Sequence, residues 1–354
     1  MGPDGRFLAP DGVNPSVMPE TQRLPFVDAW NLTVQRELTS EISGEIAYVG
    51  NKGTHVFAGD GPDDNFNQPT LVGFPNVPRD LRRPFFAGPV GGYGKPFGLT
   101  TDLRYLCNCS DNNYNSLQAK LTKRFTRGYS LLATVTLQRI RNHGGDQVFF
   151  DRDLEYGAPA WARSRLFTLA TTIELPFGKG KRFMGDASGA LDYIVGGWQF
   201  NAAATVASGR HLNVDYRDNG QDRDVGPNRP NVTGDITDGG GSKERWFNAT
   251  AIGSPGSAFS RPAVGTFGDM ERGSLIGPGM WNVDASLFKR FHFTERTNLE
   301  LRVEASNVFN HVTLGDPDTQ IGVPGNDNPN AGRITSVGPN WTPRNLQFAL
   351  RFQF

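Results

Sequence analysis

Residues 345–354 read NLQFALRFQF, and every second one is large and apolar: Leu346, Phe348, Leu350, Phe352 and Phe354. Asn345, Gln347, Ala349, Arg351 and Gln353 fall between them. Successive side chains of a strand point to opposite faces, so this segment has one apolar and one polar face. Two environments accept such a strand. One is a sheet lying over a soluble core, and the other is a barrel wall with lipid outside and water inside.

The pattern recurs along the chain. Trp30, Leu32, Val34 and Leu38 alternate with polar residues, as do Ile42, Ile46 and Tyr48. Leu117, Ala119, Leu121 and Phe125 form a third apolar row, and Tyr129, Leu131, Ala133, Val135 and Leu137 a fourth. Further rows run through Phe167 to Leu175, Trp198 to Val206, Trp281 to Phe291 and Leu299 to Ala305. With the last segment these make about nine strands, and no convincing amphipathic helix lies between them.

Composition narrows the class. The 354 residues carry no formal net charge, so bulk electrostatics suggest no nucleic-acid partner. With 43 Gly and 24 Pro, the chain is rich in turns and irregular connections. No run of about 18 apolar residues exists, which excludes a transmembrane helix but not a barrel, whose strands need only about 9–11 residues. The start shows no charged and then apolar leader.

Two features favour a barrel over a sandwich. Aromatic residues sit near strand ends (Trp30, Tyr48, Phe125, Tyr129, Trp198, Trp281, Phe291, Phe309, Phe354), where the interfacial girdles of a bilayer would lie. The connections also alternate. Short links (TSE, TRG, HFTERT) and a moderate one (PFGKGKRFMGDASGALDYIVGG) fall at one end, and four long ones at the other: 50–113, 139–165, 208–280 and 310–344. Structureless connections beyond about 12–15 residues are uncommon in compact domains. Short periplasmic turns and long extracellular loops are the rule for outer-membrane barrels. The fold expected is therefore all-β: an antiparallel up-and-down transmembrane β-barrel, present in part, with residues 1–25 an extracellular loop or disordered lead and 26–354 the barrel portion. An odd strand count would leave the first residues extracellular, which suggests the C-terminal part of a longer chain.

The segments NYNSLQAKLTKRFTRGYSLLATVTLQ, ELPFGKGKRF, GGWQFNAAATVASG, RWFNATAI, GTFGDMERGSLIGPGMWNVDASLFKRFHFTERTNLELRVEASNVFNH and GRITSVGPNWTPRNLQFALRFQF, in this order, resemble the C-terminal barrel of Oar-like TonB-dependent receptors, outer-membrane proteins with a carboxypeptidase-regulatory-like domain and a plug before the barrel. The resemblance covers most of 113–354 and weakens back to about Pro25. It implies residence in the outer membrane, contact with its lipid, and substrate import powered through TonB. This sequence shows no plug and no TonB box, so the plug, the TonB coupling and the extracellular substrate belong to an intact parent. The final alternation, Phe348, Leu350, Phe352 and Phe354, also resembles the signal by which the outer-membrane assembly machinery recognises its clients; the alternative reading of the terminal Phe, compatible with the first, is an interfacial anchor for the last strand.

No catalytic constellation stands out, and an enzyme is not expected. His55, His143, His211, His292 and His311 are scattered, GxSxG is absent, and PFGKGKRF reads as a basic periplasmic turn rather than a phosphate loop. Cys107 and Cys109 are incidental loop residues or a CxC disulfide; two thiols alone do not make a zinc site. The segment VDYRDNGQDRDVGPNRPN is the best binding candidate. Asp215, Asp218, Asp222 and Asp224 offer hard oxygens for calcium, while Arg217, Arg223 and Arg229 could instead neutralise them. The loop GDPDTQIGVPGNDNPNAG is a weaker case. No other cofactor is expected. Lys120, Arg124, Glu300, Arg302, Glu304 and Arg351 fall on the polar faces and are expected to line a lumen as cross-strand charge pairs. Rival readings are an outer-membrane scaffold or adhesion protein and a soluble β-sandwich binding module.

Overall fold

A computed structural model describes residues 16–56, 64–86, 99–144, 148–218, 220–294 and 296–354. Nine long strands form one sheet: β1 (Phe26–Thr39), β2 (Ile42–Val56), β3 (Ser110–Thr126), β4 (Tyr129–His143), β5 (Arg165–Glu174), β6 (Trp198–Ala207), β7 (Met280–His292), β8 (Asn298–Ser306) and β9 (Asn345–Gln353). Each long strand pairs antiparallel with its sequence neighbours, a continuous meander without crossovers. The sheet is not closed, and it matches the nine alternating segments one for one.

Register sorts the side chains into rows. One set of rows is apolar: Val34, Ile46, Ala119, Val135, Phe167, Val206 and Trp281 stand side by side across seven strands. Nearer the other end, Tyr129, Ile173, Phe200, Leu287, Val303 and Phe348 do the same. The intervening rows are polar, for example Gln35, Glu45, Lys120, Thr134, Thr168, Thr205 and Asn282. Large apolar side chains on the first set remain exposed, among them Ile46, Leu117, Val206 and Phe348. Among the described residues no second sheet covers them, which removes the sandwich reading.

The aromatic residues bracket this apolar face. Trp281 and Phe291 are ten residues apart on β7. At a strand rise of about 3.3 Å and a tilt of about 40° they stand roughly 25 Å apart along the membrane normal, the height of a barrel's lipid band. At one end the connections are tight. Arg127 and Gly128 both take positive φ (54° and 83°), the two-residue turn that matches strand twist. The 175–197 connection at the same end contains a helix, α1 (Ala190–Val195), that the alternation does not reveal.

The buried apolar core lies in the long connections rather than in the sheet. Leu212, Val214, Tyr216, Phe247, Phe259, Leu275, Ile321 and Val323 pack together there. Two-residue pairings tie the segments: His211–Leu212 with Leu275–Ile276, Asp215–Tyr216 with Gln320–Ile321, and Asn231–Val232 with Phe259–Ser260. Residues 1–15 of the expected lead lie outside the described residues. Ser16–Val17 pairs with Arg104–Tyr105 of the connection before β3.

Candidate functional site

Segment 214–231 is where the long connections meet, and arginines make the joints. Arg82, buried in the 57–109 connection, pairs with Asp224. Arg229 reaches Glu155 of the 144–164 connection at 2.9 Å and the Leu154 carbonyl at 2.6 Å. Arg217 donates to the Asp327 carbonyl at 2.7 Å, in the connection before β9. The fully buried Arg223 donates to the carbonyls of Pro227 (3.0 Å) and Thr266 (3.0 Å) and lies over the Tyr216 ring.

Asp218, Asp222 and Asp224 each face protein donors. Asp222 receives both Arg261 Nε (2.8 Å) and Nη2 (2.9 Å) and the Tyr216 hydroxyl (2.7 Å). Asp218 accepts the amide of Asp222 at 2.8 Å and Arg261 at 3.3 Å, while Asp224 turns to Arg82. Among the described residues no group of three or more His, Cys, Asp and Glu side chains is placed to hold a metal. Of the expected neutralisers, Arg229 and Arg223 lower Asp215 through their charge. At Asp222 the charge comes instead from Arg261, 39 residues further along the chain. Sequence spacing could not show this, because the pairing is set by the fold of the whole connection. Cys107 and Cys109 are disulfide-linked.

The network sets its own protonation. Burial alone would raise the Asp222 carboxyl, but hydrogen bonds from Arg261 and Tyr216 outweigh it and hold the group below the usual aspartate range. Burial and the Asp222 acceptor push the Tyr216 phenol up, so it stays a donor. A depressed folded-state carboxyl stabilises fully above its unfolded value, about 4, and that contribution is lost as pH falls through the folded value. Burial raises Asp215, which acts with the opposite sign. Comparison with Asp222→Asn isolates the first effect. The unaltered protein is expected to lose protease resistance in 212–232 only as pH falls below the ordinary aspartate value of about 4, while Asp222→Asn is already more cleavable at pH 7 and has a flatter profile.

The polar face carries the residues expected to line a lumen. Glu300 is buried between Arg290 at 2.7 Å, directly opposite on β7, and Arg302 at 2.5 Å on its own strand; Arg351 stands opposite on β9. Arg124 lies 3.6 Å from Glu37, across β2 from β1. Lys120 stands opposite Glu45 in register, and Glu304 lies between Ser286 and Gln347. Glu304 also borders a groove of about 680 Å³ with Ser130, Thr172, Asn201 and Ser286, so the polar face is concave. Where this face meets the loop body there is a cavity of about 310 Å³. Asn282, Asp284 and Ser306 of the sheet and Arg163, Arg210, Asp316 and Trp341 of the loops converge on it. Within it Arg210 pairs with Asp316, and Asp284 accepts Asn282 at 2.9 Å and the Asn307 amide at 2.8 Å.

The opposite face is apolar, exposed and bracketed by aromatic girdles, and the family described as outer membrane beta barrel domain matches residues 3–347. The chain belongs to this family. It resides in the outer membrane, where the apolar face meets lipid and the long connections form the extracellular loops. The barrel domain is similar in structure to the ferripyoverdine receptor of the Pseudomonas aeruginosa outer membrane bound to ferripyoverdine, at 12% identity and a TM-score of 0.41, over 93% of this chain and 27% of that one. It is also similar to the FrpB iron transporter of Neisseria meningitidis, at 10% identity and a TM-score of 0.43, over 96% of this chain and 33% of that one. The barrel domain thus spans between about a quarter and a third of these chains. No curated protein sequence matches it.

Several charged residues on the apolar rows escape the alternation, Lys123 and Lys289 among them. Lys123 and Lys289 stand on apolar rows, between Leu121 and Phe125 and between Leu287 and Phe291. The repeated L-x-K-R-F at 121–125 and 287–291 was the available signal. Lys123 Nζ donates to the Thr126 and Tyr129 carbonyls at 3.0 and 3.1 Å and lies 3.8 Å from the Tyr129 ring centre. The periplasmic turn thereby takes up the ammonium.

Proposed function

We propose that this barrel domain is the wall and loop body of an Oar-like TonB-dependent receptor, and that the intact protein takes up a substrate across the outer membrane with energy delivered through TonB. One observation carries the reading: the loops pack on a shared core and meet the polar face at a seam that holds the 310 Å³ cavity. An importer needs ordered loops above its lumen, whereas an adhesin presents its loop tips to the outside. The substrate would meet Arg163, Arg210, Asp284 and Asp316 at that seam before reaching the plug of the parent chain. Phe348, Leu350, Phe352 and Phe354 keep their exposed apolar row for recognition by the assembly machinery.

The test is accumulation of labelled medium components by cells carrying the intact parent, with and without functional TonB. TonB-dependent accumulation that falls at least severalfold in Arg210→Ala/Asp284→Ala is expected. TonB-independent cell or polymer binding, lost on loop deletion and without accumulation, would establish the scaffold alternative instead.

A further inference from the structure

The 175–197 connection is more than a basic turn. Its last third, including α1, packs on the apolar face of the sheet. Lys289 and Phe291 of β7 and Trp198 of β6 belong to apolar rows. Lys289 Nζ donates to the carbonyls of Tyr193, Ile194 (3.0 Å) and Gly196 (2.5 Å). The Tyr193 ring lies 5.5 Å from that of Phe291, its hydroxyl donates to the His292 carbonyl at 3.1 Å, and Trp198 Nε1 donates to the Ile194 carbonyl at 2.9 Å. A helix of six residues does not persist alone; these contacts hold it against the outside of the wall.

In that position it displays apolar groups away from the protein. Ile194 is 62% exposed, Leu191 49%, and Phe183 and Met184 47% each. Phe177 and Phe183 lie ring to ring at 5.5 Å, with Arg182 over Phe183. Residues 176–185 contain Lys179, Lys181 and Arg182 and no acidic residue, with Asp186 and Asp192 following in the same connection; Lys181 also reaches Glu174 at 3.0 Å. Amphipathic segments of this composition lie at membrane interfaces, apolar side in the acyl boundary and cations among anionic headgroups.

We propose that residues 176–197 form an interfacial collar seated on the phospholipid leaflet at the periplasmic rim, with Phe177, Phe183, Leu191 and Ile194 in the acyl boundary and Lys179, Lys181 and Arg182 against anionic lipid phosphates. The collar continues the lipid-facing surface already described and rests on that reading. Lys289 is its positioning residue, joining the collar to the wall through three carbonyls.

The test places an environment-sensitive fluorophore at Ile194→Cys in the full chain, with Cys107→Ser and Cys109→Ser, in vesicles of phosphatidylethanolamine and phosphatidylglycerol that contain acyl chains brominated near the headgroup. Parallel labels go at Val135→Cys, mid-wall on the apolar face, and at Arg127→Cys in the periplasmic turn. Quenching at 194 well above that at 127 is expected. It should fall about twofold on Lys179→Gln, Lys181→Gln and Arg182→Gln together, and only when phosphatidylglycerol is present. If 135 is quenched and 194 behaves like 127, the collar is overturned while the wall stands. If the triple variant changes nothing, the anionic-lipid part is overturned. If 135 is not quenched, the membrane reading fails and the collar with it.

Discussion

Ala204→Arg is expected to destabilise the assembled barrel domain by about 2–4 kcal/mol, and Ala203→Arg by less than about 1 kcal/mol. The two positions are adjacent on β6 and hold the same residue, so propensity, side-chain size and net charge are matched. Only the face differs. Ala204 shares its row with Ala133, Leu169 and Val283, and a guanidinium there must be drawn into hydrocarbon. Ala203 stands opposite Asp284 on the groove side, where a cation meets water and a carboxylate. Urea titration of the compact, heat-modifiable form measures both. Equal effects would remove the assignment of faces.

Arg261→Met should cost the loop body about 3 kcal/mol while leaving the sheet intact. Removing one partner of a buried ion pair strands the other charge, at about 3–5 kcal/mol. Arg261 is 31% exposed and Asp218 fully enclosed, which places the effect at the lower end. Stability differs across a structure, so the loss should appear as local opening. Hydrogen exchange should accelerate over a hundredfold in 212–232 and around Ile321, with β6 and β7 unchanged. Unfolding of the entire domain at one midpoint would show that loops and wall are one cooperative unit.

The wall was readable because its strands meet oil on one side and water on the other, and that contrast writes a period of two into the sequence. The reading failed where the contrast ends. β3 begins at Ser110, earlier than its alternation, because residues 110–116 are polar on both faces. The helix 190–195 is too short to show a period of its own. Lys123 and Lys289 interrupt the apolar rows, and a cation on a lipid face makes sense only when carbonyls stand within reach of it. In the loops, Val214, Tyr216 and Ile321 become a core only when segments about a hundred residues apart are brought together, as in the Asp215–Tyr216 pairing with Gln320–Ile321. Arg82 and Asp224 are separated by 142 positions, beyond any local pattern.

The most direct measurement is a spin-label scan of residues 199–206 in β6, a strand with both neighbours in place, comparing collision rates with oxygen, which concentrates in lipid, and with a water-soluble nickel chelate. Opposite oscillations of period two are predicted, with oxygen maxima at Phe200, Ala202, Ala204 and Val206 and nickel maxima at Gln199, Asn201, Ala203 and Thr205. Two in-phase profiles, or nickel access equal on both faces, would contradict a wall with lipid on one side and water on the other.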